Sequence, residues 1–149
     1  MLMELDFAPS TPSPRTSLVQ ELSDPMLSYE VYKLLHLLGV FLMFTMLGGI
    51  ALHVLNGGTR ESNAGRRLTG ALHGVALFVI LLGGFGMLMR HELAKDGLPG
   101  WVWAKLGIWL LLGALGSVVY RRPAMAKPLL LGLPLIGALA AWLAIFKPI

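Results

Sequence analysis

The apolar positions of the chain fall into four long runs, at residues 31–55, 68–89, 101–120 and 128–146, separated by short stretches that hold most of the charge. Each run can cross a hydrocarbon core about 30 Å thick at about 1.5 Å per residue. None alternates apolar and polar positions as a barrel strand would. Within lipid every backbone N–H and C=O must be paired inside its own segment, so the pattern predicts four helices. The fold class that follows is an all-α integral membrane protein: a four-transmembrane-helix up-and-down bundle over residues 29–149 and an extended tail over 1–28.

The tail, which contains "PSTPSPRTS", is rich in Pro, Ser and Thr and is expected to be solvated and extended. It has acids near its start and no apolar h-region, so it is not read as a cleaved signal peptide. Pro134 inside the fourth run is expected to kink that helix by removing one backbone hydrogen bond. Small residues spaced by four, Gly70 with Gly74, Gly113 with Ser117 and Gly137 with Ala141, mark expected sites of close helix approach.

Composition agrees with this pattern and narrows the function. The 149 residues are 56% hydrophobic and only 13% charged, too apolar for a soluble domain of this length. The absence of cysteine removes disulfides, thiolate metal sites and Cys nucleophiles together. The basic residues sit mainly in two loops, "NGGTRESNAGRR" and "RRPAMAK", whereas the tail and the loop "RHELAKDGLPG" also carry acids. By the positive-inside rule the two basic loops face the cytoplasm, which places both termini on the periplasmic side of a bacterial inner membrane. The net charge of +4 then reflects orientation and headgroup contact; no run of five Lys or Arg exists to favour nucleic acid.

Polar residues within the spans are the candidates for chemistry, because a charge or imidazole in hydrocarbon is costly without a partner. They are His36, His53, His73, His91 and Lys105, with Thr45 and Thr69 as lesser members. Four histidines on two antiparallel helices invite a two-haem cytochrome, each haem held by one His from each helix. The spacing fits in part: His73 and His91 lie five full turns apart and share a face, whereas His36 and His53 are about 100° apart. Each pair also spans about 25 Å, which puts both sites near the membrane surfaces. His53 and His91 are read as interfacial residues at helix ends, and His36 and His73 as facing the bundle. Lys105 has two readings: it snorkels to headgroups beside a belt of Trp101, Trp103 and Trp109, or it faces inward near His36 and offers positive charge to an anionic ligand. Met43, Met46, Met87 and Met89 are read as flexible core filler rather than copper ligands.

The stretches "YKLLHLLGVFLMF" and "WVWAKLGIWLLL" resemble the first-helix and third-helix signatures of small bacterial bundle proteins of the HemJ, SirB and CopD-like kind. The shared features are a His early in the first helix and a W-x-x-A-K-L opening to the third, and the resemblance covers residues 29–146. For HemJ-type protoporphyrinogen oxidases it implies haem b as cofactor, His36 as the metal ligand and Lys105 as partner to a porphyrin carboxylate or to a proton. The chain departs from that type at Ala104, where HemJ proteins usually carry His.

The candidate cofactor-binding set is therefore His36, His73 and Lys105, with His36 as the metal ligand and no complete catalytic constellation. Two functions follow. The first is an accessory or binding subunit, in contact with the bilayer and with a larger membrane complex or further copies of itself. The second is a haem-b redox protein of the HemJ type.

Overall fold

The computed structural model describes residues 28–90 and 97–148, and there the chain is a bundle of four helices with no strand. We number them α1 (Tyr29–Leu55), α2 (Arg66–Arg90), α3 (Gly100–Arg121) and α4 (Ala126–Phe146); a 3₁₀ turn, Pro123–Met125, joins α3 to α4. All four are long and apolar enough to cross a membrane, α4 together with the preceding turn. Their bounds lie within two residues of the apolar runs. The tail before Ser28 and His91 lie outside the described residues.

Local chemistry sets the helix ends. The Ser28 hydroxyl caps α1 by accepting from the Val31 N–H, and Glu30 places an acid in the first turn, where the helix dipole favours it. After Leu55 the chain turns through Asn56 and through Gly57 at φ 80°, a backbone conformation that costs glycine little. Asn63 shapes the entry to α2: its side-chain oxygen accepts from the Gly65 N–H and its carbonyl from the Arg66 N–H. Pro134 lies within α4, and the helix runs through it from Ala126 to Phe146.

The helices pack with alternating direction. Tyr32 meets Gly86, His36 meets Gly83 and Gly39 meets Ile80, so α1 and α2 are antiparallel. His73 and Leu77 of α2 face Gly116 and Gly113 of α3, and Gly137 of α4 abuts Phe44 of α1. The buried centre, with Met43, Leu47, Val119 and Leu133 among its members, draws on α1, α3 and α4, and α2 contributes Ala76. The outside is equally apolar: Leu34 is 68% exposed, Phe41 67%, Leu135 72% and Ile145 72%. Water would penalise such a surface around the whole bundle, whereas lipid accepts it. The chain is thus a multi-pass membrane protein.

The tightest contact lies elsewhere than the small-residue spacing predicts. Gly70 and Gly74 have open space where a Cβ would stand, and both are exposed. The α1–α2 seam closes instead at Gly39, Gly83 and Gly86. A Cβ on Gly83 would lie 2.7 Å from the His36 nitrogen and the Tyr32 carbonyl oxygen, backbone atoms that cannot swing aside. The reason is geometric: four-residue spacing identifies a smooth row on a helix, but register and rotation decide which row faces a neighbour.

Gly83→Ala should therefore destabilise the bundle by about 1–3 kcal/mol through overpacking, despite the better helix propensity of alanine. Gly48→Ala, with nothing within 4 Å of its Cβ, should be neutral or stabilising. Thermal unfolding of the two variants in one detergent checks the contrast; equal midpoints would contradict the seam.

Candidate functional site

Two cavities sit at opposite ends of the bundle, and the polar residues of the spans divide between them. The first, about 340 Å³, is walled by all four helices near the start of α1 and α3 and the end of α2 and α4. His36, Trp101, Lys105, Trp109 and Lys147 line it, with Ile80, Gly84, Phe85, Met87 and Leu88 supplying an apolar wall from α2. The size suits a small ligand, as does the composition, a largely apolar surface with a few convergent polar groups.

His36 is held by the seam. Its Nδ1 lies 2.8 Å from the Ile80 carbonyl oxygen, and because a carbonyl only accepts, Nδ1 carries the hydrogen. That leaves Nε2 with its lone pair, and among the described residues Nε2 has no hydrogen-bond partner. A ring nitrogen fixed by a backbone carbonyl, with the other nitrogen free, is the arrangement that metal-ligating histidines adopt. Trp109 ties α3 to α2 by donating its Nε1–H to the Leu77 carbonyl at 3.0 Å.

The inward reading of Lys105 describes its position. Its ammonium lies 5.4 Å from the Trp101 ring centre and lines the cavity that His36 lines. Lys147, absent from the expected set, joins it at 5.7 Å from the same ring. This residue follows α4 in a left-handed conformation, φ 45°, its N–H bonded to the Leu143 carbonyl. Two ammonium groups thus share one indole, whose ring attracts each of them. Of the three tryptophans assigned to an aromatic belt, Trp101 and Trp109 line the cavity, while Trp103 is 61% exposed on the outer surface.

His73 belongs to the other end. It lines a cavity of about 210 Å³ with Arg60, Arg66, Thr69, Ser117, Tyr120 and Arg121, so the structure brings His36 and Lys105 together and sets His73 apart. Its Nε2 donates to the Gly113 carbonyl at 3.3 Å, and its buried Nδ1 has no partner. Thr69 donates to the Gly65 and Arg66 carbonyls, and Thr45 to that of Phe41, so both hydroxyls serve their own helices. In the neighbouring loop the exposed Glu61 carboxyl is held below its usual range, chiefly by its own backbone N–H, then by the Thr59 hydroxyl, with Arg60 and Arg66 adding to the effect.

Ser62 lies 3.4 Å from His53 but the two do not form a nucleophile–base couple. His53 Nε2 is the nitrogen that faces the hydroxyl, and it carries a hydrogen donated to the Thr59 carbonyl at 2.9 Å. Both residues instead brace the loop against α1, and Tyr120 completes the brace by accepting from the Asn63 amide at 2.6 Å. Among the described residues no group of three or more His, Asp or Glu is placed to hold a metal ion.

The sequence matches no family model, no curated protein and no solved structure.

Removing the hydroxyl in Tyr120→Phe should cost about 0.5–1.5 kcal/mol of local stability. Amide exchange of residues 57–65 should then accelerate by roughly 2- to 10-fold while α1 stays protected. Unchanged exchange in that loop would show that the Asn63–Tyr120 bond does not hold it.

Proposed function

We propose that the protein is a membrane-embedded binding subunit that seats an amphipathic anion in the cavity between His36 and Lys105. The observation that carries this reading is the convergence of Lys105 and Lys147 on Trp101 in a largely apolar cavity. Two positive charges in a site of lowered dielectric repel each other, and an acidic group between them relieves that repulsion. The apolar wall from α2 accommodates a hydrophobic ligand body. By the positive-inside rule this cavity opens toward the periplasmic side of an inner membrane, since the basic loops lie at the other end. An accessory role in a larger assembly is supported by Gly74, an exposed position on α2 with open space where a Cβ would stand.

A second reading, haem b as the ligand, is favoured by His36. Its carbonyl-fixed tautomer leaves the Nε2 lone pair unused on a residue that lines the cavity, and the two lysines suit the propionates of a porphyrin. When bound, haem b would supply one-electron chemistry; His36 would hold the iron, and Lys105 and Lys147 would orient the carboxylates.

Detergent-purified protein titrated with metal-free protoporphyrin and with haem separates the two readings. Lys105→Gln and Lys147→Gln should each weaken metal-free porphyrin binding by about 10-fold or more, as expected for loss of a charge-assisted contact. His36→Ala should leave that binding intact and abolish a b-type spectrum with haem. Porphyrin affinity unchanged in both lysine variants would refute the anion site, and a b-type spectrum persisting without His36 would refute the ligand assignment.

A further inference from the structure

The second cavity has a composition that the first does not explain. Arg60 comes from the loop after α1, Arg66 from the first turn of α2 and Arg121 from the last residue of α3, and all three line one space of about 210 Å³. Among the described residues no carboxylate pairs with any of the three at ion-pair distance; Glu61 acts on Arg60 and Arg66 only through its charge. Three guanidiniums from separate segments gain nothing from one another, and each presents a fork of N–H donors that matches a tetrahedral oxyanion. The dipole of α2, whose N-terminal turn borders the space, adds to the same field.

Two further observations point to a ligand. Tyr120 accepts from Asn63, so its own O–H hydrogen is not used in that bond and is available at the cavity. His73, whose ring lines the deeper side, has a buried Nδ1 without a partner, although buried polar atoms in folded proteins are nearly always satisfied. Donors therefore surround the space, and one acceptor beside it is unfilled.

We propose that this cavity is a phosphate-binding site, held by Arg60, Arg66 and Arg121 with Tyr120 as an additional donor. The ligand is a phosphate oxyanion. An anionic phospholipid with a hydroxylated headgroup and inorganic hydrogen phosphate share that chemistry. The site lies at the opposite end from the Lys105 cavity and stands independently of what binds there.

The test uses the full chain in detergent with two probes. Retention of phosphatidylglycerol against phosphatidylcholine is read by native mass spectrometry, and binding of inorganic phosphate by equilibrium dialysis. The expected result is selective binding in at least one arm, reduced 10-fold or more in the Arg66→Gln/Arg121→Gln pair and unchanged in Lys127→Gln, an exposed basic residue that lines neither cavity. Retained phosphatidylglycerol alone identifies the lipid as the source; phosphate binding identifies the free anion. If the glutamine pair lowers the unfolding midpoint, Arg60→Gln in the exposed loop provides the same comparison, with a smaller loss expected. Selectivity in neither arm, or selectivity that survives these substitutions in folded protein, overturns the site.

Discussion

Gly83 leaves no room between α2 and the backbone of α1, and the geometry of the first cavity depends on that contact. With the two helices this close, the His36 ring meets the Ile80 carbonyl, which fixes the hydrogen on Nδ1 and leaves Nε2 with its lone pair. In lipid a polar side chain without a partner is costly, so the bond that satisfies the imidazole also sets its chemistry. A bulkier residue at position 83 would widen the seam and release the ring. The same constraint does not reach α3, which is joined to α2 by Trp109 and by His73.

Charge then divides the bundle. Ammonium groups gather at one end, around Trp101, and guanidiniums at the other, around Tyr120. The difference matters chemically: lysines are compact point charges in a largely apolar space, whereas arginines are planar forks around a smaller and more polar one. An amphipathic acid suits the first and a phosphate the second. The histidines follow this division: His36 lines the cavity of the lysines and His73 that of the arginines.

Helix number and extent were legible in the sequence because hydrocarbon thickness and backbone pairing admit few alternatives. That Lys105 and His36 lie at one end was legible too, since alternation of direction puts the early turns of α1 and α3 there, and both line the first cavity. Rotation was not. Gly70 and Gly74 have the same spacing as an interface row, but nothing in a single sequence states which face meets a neighbour, and neither does: Gly70 borders the second cavity and Gly74 is exposed. Gly39 and Gly83 reveal their role only once two helices are placed in register. Lys147 was missed because it lies past the last span, where a left-handed backbone brings it over Trp101; a basic residue just beyond a span, at the end that holds Lys105, was the available signal. His53, read as a residue at a helix end, does lie there and donates to the loop that follows.

Lys105 lines one cavity with His36 instead of reaching along the lipid surface, and cross-linking tests that position directly. The chain contains no cysteine, so paired cysteines can be introduced without background. A short bis-maleimide added to His36→Cys/Lys105→Cys protein in membranes should form an intramolecular cross-link rapidly, whereas Leu38→Cys/Lys105→Cys, with position 38 on an exposed face of α1, should not. Equal cross-linking in both pairs, or none at positions 36 and 105, would contradict the inward-facing site.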